Sequence, residues 1–175
     1  MNVRKGIFST GLLILVAGLV IGVTSFAPSQ VIQLVVVVSA FSAGAIAIIT
    51  GKGIFSQRLA SRYILVEGAV LILYAITAAL FGSDFNSFIN VTTLFLLVFG
   101  VVEFTLTLQA LNSSEAPNWN VFVQKLVTAS AASIGAVYIF VAGADNENLA
   151  ILFVGLVTIV IGGGFIRESK HIHAS

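Results

Sequence analysis

The sequence predicts an all-α, polytopic membrane protein, with six transmembrane helices arranged as three repeated helical hairpins. Three observations predict it. The 175 residues are 58% hydrophobic and 9% charged, whereas a water-soluble domain carries roughly a quarter of its residues charged. The chain contains six apolar runs, each near the ~20 residues that span a bilayer core as a helix. Every Lys and Arg falls at one end of the arrangement these runs imply.

The elements follow in order within a single domain, residues 1–175. After a short polar start with Arg4 and Lys5, residues 6–27 make the first span, broken at Ala27-Pro28-Ser29-Gln30. The same opening suits a cleaved signal peptide. That run, however, exceeds the usual apolar core of about 7–15 residues, no A-x-A site precedes the turn, and Pro28 sits where cleavage would fall; retention is expected. Residues 31–50 form the second span, and a basic loop with Lys52 and Arg58, and Arg62 at its edge, leads to the third, 63–81. A polar turn from Gly82 to Ser87 joins it to the fourth, 88–110. Asn112 to Asn120, with Pro117 and Trp119, precedes the fifth span, 124–142. Asp145-Asn146-Glu147-Asn148 then turns the chain into the sixth, 149–166, and a polar tail begins at Arg167. Helices are expected because in lipid each segment must satisfy its own backbone hydrogen bonds. A β-barrel needs period-2 alternation, and Leu34-Val35-Val36-Val37-Val38 has none.

Orientation follows from charge. Six spans put both termini on one side with the second and fourth loops, where Arg4, Lys5, Lys52, Arg58, Arg62, Lys125, Arg167 and Lys170 all fall. The opposite turns carry Asp84, Asp145 and Glu147. Excess Lys and Arg marks cytoplasmic loops, so the termini are expected in the cytoplasm and the protein in a plasma or inner membrane. The bilayer is the partner this composition requires. A net charge of +1 with no basic stripe gives no reason to expect nucleic acid.

An internal repeat is legible. Gly11, Gly68 and Ala129 open corresponding stretches, followed by Gly18, Ala75 and Ala136. The turns fall at Pro28, Asp84 and Asp145, and Gly44, Gly100 and Gly162 sit late in each second helix. Small residues are common in membrane helices, so part of this is coincidence, but the shared turn and glycine register favours a triplicated hairpin. With small residues mid-helix, a Pro or acidic turn and a late glycine, the chain resembles the HdeD family of bacterial inner-membrane proteins associated with acid resistance, over about Gly11 to Arg167. Only the first turn has the proline of that pattern. The resemblance implies the fold and a role in acid or envelope stress response, and no catalytic residues.

Two carboxylates lie within spans, Glu67 and Glu103. By helix rise, Glu67 sits roughly 7 Å inside the boundary at Arg62, and Glu103 roughly 12 Å from the same boundary at Leu111. Antiparallel neighbours bring both into one leaflet. Ionisable groups inside a span are costly and mark a functional site or a buried pair. Desolvation and a like-charged neighbour both disfavour the charged form, which makes Glu67 and Glu103 proton-titrating candidates. The structural alternative pairs Glu103 with Lys125 and lets Glu67 reach toward Arg62.

Other signals are weaker. Gly18 and Gly22 form a GxxxG that permits close helix packing, within the chain or at a homo-oligomer or partner seam. Gly44, Gly100 and Gly162 are further packing candidates. Ser130 and Ser133 share a helix face, which suits a tightly packed helix better than a pore stripe. His171 and His173 lack a third ligand, so no metal is expected; with no Cys there is no thiolate chemistry either. Asn90-Val91-Thr92 matches a glycosylation sequon but lies too near lipid. Trp119 and Tyr63 read as interface anchors. No P-loop, HExxH, Ser/His/Asp set or dinucleotide fingerprint appears, so neither an enzyme nor a cofactor is expected. The functional expectation is a non-enzymatic HdeD-like membrane protein of acid tolerance. Its alternatives are a small proton-coupled transporter or channel subunit using Glu67 and Glu103, or an accessory subunit of a larger membrane complex.

Overall fold

The computed structural model describes residues 3–23, 29–53, 58–111 and 119–171. Among them it contains six α-helices: α1 (Val3–Val23), α2 (Ser29–Lys52), α3 (Arg58–Phe81), α4 (Phe85–Leu111), α5 (Trp119–Asp145) and α6 (Glu147–His171). With 21 to 27 residues, each helix is about 32–40 Å long and can cross a hydrocarbon core of ~30 Å. All six are long and apolar enough to span a membrane, and the protein is a six-helix polytopic membrane bundle.

The helices run past the apolar stretches that predict them. α3 begins at Arg58, α4 at Phe85 and α5 at Trp119, while α6 continues through Arg167 to His171. Hydropathy registers only the part of a helix that sits in hydrocarbon; backbone hydrogen bonding carries it on into the polar interface. Where the chain must turn, side chains cap the next helix. Asp84 accepts hydrogen bonds from the Ser87 backbone N–H (2.9 Å) and hydroxyl (2.7 Å), and Asn146 accepts one from Leu149 N–H (3.1 Å). Both satisfy amide groups that open a helix without intrahelical partners. The Ser87 hydrogen bonds also hold the Asp84 carboxyl below its usual range.

The six helices form a ring in chain order, and α6 closes it against α1. The most extensive seams are α1 with α6, α2 with α3, and α4 with α5. Small residues let backbones meet there. A Cβ on Gly11 would stand 2.8 Å from the Gly162 carbonyl oxygen, and one on Gly44 2.7 Å from that of Gly68. One on Gly100 would come within 3.1 Å of the Ala129 carbonyl oxygen. Gly44 of α2 thus meets Gly68 of α3, Gly100 of α4 meets Ala129 of α5, and Gly162 of α6 meets Gly11 of α1. On the same α1–α6 seam, a Cβ on Gly18 would lie 2.8 Å from the Gly155 carbonyl oxygen. A Cβ on Gly22 would meet nothing, although Gly22 backbone nitrogen lies 2.9 Å from where a Gly155 Cβ would stand. This GxxxG therefore serves packing within the chain.

Inside the ring, Ile7, Ile14 and Ile21 of α1, Phe99 of α4, Ala132 and Ile139 of α5, and Ile161 of α6 are buried. Leu34, Leu73, Leu94 and Ile134 point outward, where lipid covers them. Successive contacts run in opposite directions along each seam, Gly11–Gly162 then Gly18–Gly155, Gly44–Gly68 then Gly51–Leu65, and Gly100–Ala129 then Glu103–Lys125, so these helix pairs are antiparallel and the basic residues gather at one end of the bundle.

Candidate functional site: a buried charge cluster

Within the basic end, four helices each contribute one charged side chain to a single buried cluster. Lys125 of α5 is its centre. Its Nζ donates to Glu67 Oε1 of α3, to Glu103 Oε2 of α4 at 3.3 Å, and stands 3.2 Å from Glu168 Oε2 of α6. Glu67 and Glu103 thus meet at the same ammonium. No member has more than 6% of its side chain exposed.

Backbone geometry explains why these four converge. Measured along their helices at 1.5 Å per residue, Glu67 lies about 13 Å from Arg58, Glu103 about 12 Å from Leu111 and Lys125 about 9 Å from Trp119. Glu168 is about 4–5 Å from the end of α6 at His171. All sit in the same layer near the basic end, and the long Lys125 side chain closes the remaining gap. The Phe165 ring lies 6.0 Å from its ammonium, at the outer limit for cation–π attraction.

Three carboxylates face one ammonium, a formal excess of two negative charges. A buried charge of that size is untenable in low dielectric unless something compensates it. The hydrogen bonding is incomplete in the same sense: Glu67 Oε2, Glu103 Oε1 and Gln124 Oε1 are buried acceptors without a donor. A proton on one carboxyl supplies a donor to the next, so the chemistry this arrangement is suited to is binding and passing protons. Among the described residues no group of three or more His, Cys, Asp or Glu is placed to hold a metal ion.

Polar neighbours surround the cluster. Gln124 donates to the Gly164 carbonyl across the α5–α6 seam. The Thr128 hydroxyl bonds back to Gln124 O at 3.0 Å, and that of Thr107 to Glu103 O at 2.6 Å. Further along the bundle interior, Leu71, Leu96 and Ile161 help to line a cavity of about 40 Å³ that also takes in Tyr74 and Thr92. There the Tyr74 and Thr92 hydroxyls share a 2.9 Å hydrogen bond, and the Tyr74 ring stacks on Phe95 with centroids 4.0 Å apart. The cavity is large enough for a water or two but mostly apolar in its lining.

Of the residues singled out from sequence, Glu67, Glu103 and Lys125 come together. Arg62 does not join them: it is exposed at the start of α3, while Glu67 turns inward to Lys125. Tyr63 is buried within the bundle, whereas Trp119 is exposed, edge-on to Phe122. Ser130 is exposed, and it and Ser133 line a groove on the outside of the α4–α5 seam, away from the ring interior. Asn90 is exposed within α4, and Thr92 of the sequon is engaged with Tyr74. Pro28, Pro117 and His173 lie outside the described residues.

Glu168 is the cluster member the sequence reading missed, because it falls in a segment that looks like a polar tail. A signal was present. Ile161, Phe165 and Glu168 follow one helical stripe, and all three are buried. Compared with known proteins, the chain matches no protein-family profile, no curated protein and no solved structure.

Proposed function

We propose that this is a small, non-enzymatic membrane protein that moves protons, as a proton-coupled transporter or channel subunit, with the Glu67–Glu103–Lys125–Glu168 cluster as its titrating site. One observation carries the reading: three carboxylates sealed around a single ammonium, with acceptor oxygens left over. A cluster built only to hold helices together gains nothing from surplus acid, because each unmatched buried charge is a cost. A cluster that takes up and releases protons needs that surplus.

The same reading includes the triplicated hairpin, supported by the recurrence of small residues where Gly11 meets Gly162, Gly44 meets Gly68 and Gly100 meets Ala129. It also places both termini in the cytoplasm of a plasma or inner membrane, supported by the basic residues at one end. The cluster then lies in the cytoplasmic leaflet. A role in acid tolerance, as the HdeD resemblance implies, would use the same site; its support is the repeat pattern. Assembly with further copies or with another membrane protein would use the outer seams.

The test is proton flux in proteoliposomes carrying an internal pH dye, driven by an imposed potassium-valinomycin potential. Wild type is expected to conduct or exchange protons above empty vesicles, and Glu67→Gln/Glu103→Gln to lose that flux while remaining folded. A double variant that carries protons as well as wild type rules the relay out. Loss of thermal stability with no wild-type flux identifies a structural ion pair instead.

A further inference from the structure

No member of the cluster exposes more than 6% of its side chain, so free exchange of a proton with water calls for a part of the bundle to move. Glu168 is the member nearest an aqueous end, and it rides on the last turns of α6, beyond Gly162-Gly163-Gly164. These three glycines are not equivalent. Gly162 is required by packing: a Cβ there would lie 2.5 Å from Leu15 N and 2.8 Å from the Gly11 carbonyl oxygen. Gly164 sits against Thr128, with its Oγ1 2.8 Å from the position of a Cβ. A Cβ on Gly163 would meet nothing within 4 Å. Glycine inside a helix is destabilising relative to alanine because it leaves the backbone freer to unwind. Packing does not impose glycine at Gly163, and among the three it is the one whose backbone is held by no neighbour on its open side, just ahead of the turn that carries Glu168.

Resting on the proton-transfer reading, we infer that Glu168 is the port through which the cluster exchanges protons with the aqueous phase at the basic end, carried by an α6 arm that pivots at Gly163. In the closed form Glu168 is bound to Lys125 at 3.2 Å. Opening the arm breaks that contact and brings the carboxylate to water, where it takes up or gives off a proton. Closing returns it to the ammonium, beside Glu67 and Glu103, and the proton passes between carboxyls. The charged groups around it are consistent with such a passage. Lys125 faces it from α5, with Glu67 of α3 and Glu103 of α4 on the other sides of the ammonium. Arg4 and Lys5 of α1, and Arg167 and Lys170 on α6 itself, are exposed near the opening. Gln124, which donates to the Gly164 carbonyl, ties the base of the arm to α5 just beyond the pivot.

Gly163→Ala and Glu168→Gln separate this proposal from the reading beneath it. Gly163→Ala adds a methyl group into open space, so the fold is retained and the helix stiffens. Its proton flux in the vesicle assay should fall roughly fivefold, the population shift expected from the glycine-to-alanine difference in helix propensity. Hydrogen exchange at the amides of Arg167 to Lys170 should slow by a similar factor. Glu168→Gln should lower flux by about tenfold or more with helicity unchanged, since it removes the port without adding a charge. Gly22→Ala is the control: its Cβ also meets nothing, but it lies at the other end of the bundle, and its flux should match wild type. Wild-type flux that is unchanged in both Gly163→Ala and Glu168→Gln overturns the port and leaves proton transfer standing. No flux in wild type overturns both.

Discussion

Lys125 shows how much one side chain can decide. Its helix places it among three acids drawn from three other helices, and its ammonium is the counter-charge that keeps them buried. Stripping that charge away leaves uncompensated carboxylates, a situation that costs about 3–5 kcal/mol in buried pairs. Asp84 is the opposite case, a fully exposed acid that acts through local hydrogen bonds alone. Because Ser87 holds its folded-state pKa below the ordinary value, the cap is at full strength above the unfolded pKa and is lost as pH falls through the folded one. Asp84→Asn keeps a capping oxygen but cannot titrate. Thermal melts in detergent across about pH 3 to 6 should therefore show wild type losing more stability than Asp84→Asn toward the acid end. Parallel curves would remove the cap from the acid response.

At the scale of the helix, the glycines divide into those that are pressed against a neighbour and those that are not. A Cβ on Gly44 has only backbone to push against on the Gly68 side, at 2.7 Å, so α2 and α3 must separate to admit it. Gly44→Ala is expected to destabilise the protein by about 1–3 kcal/mol, the usual cost of overpacking. Gly22→Ala meets no obstacle and is expected to be neutral or stabilising by up to ~1 kcal/mol. Melting temperatures of the two variants in one detergent provide the comparison, and a Gly44→Ala protein as stable as wild type would contradict the tight α2–α3 seam. The existence of these helices was legible from apolar length, but their ends were not. Arg58, Phe85, Trp119 and His171 all lie beyond the apolar runs because a helix is kept going by its backbone and by caps such as Asp84 and Asn146. This is why Glu168 was hidden: hydropathy stops before it, and the helix does not.

For the whole molecule, the alternating helices put Lys52 at the end of α2 and the turn after α5 at opposite ends. The chain has no cysteine, so single-cysteine variants at Lys52 and Asn148 report orientation cleanly. In intact cells, a membrane-impermeant maleimide is expected to label the Asn148→Cys protein and to reach Lys52→Cys only after the membrane is opened. Labelling of both from outside would break the six-span topology. The basic residues that fix this expectation are those in loops and at helix ends. Lys125, which falls at the same end, is instead spent inside the bundle on the acids.

The amino-acid order by itself determined that the chain crosses a membrane six times and where its basic residues gather, because span length and charge are local quantities read one segment at a time. It also pointed to Glu67, Glu103 and Lys125, since ionisable groups stand out within an apolar run. Only the tertiary structure decided that α6 closes against α1, that Glu67 turns to Lys125 rather than Arg62, and that Glu168 completes the cluster. The reason is physical. In lipid both faces of a helix are apolar, so hydrophobic periodicity does not say which face turns inward. That choice is made where backbones fit, at Gly11 on Gly162, Gly44 on Gly68 and Gly100 on Ala129, and the charged side chains meet where those fits carry them.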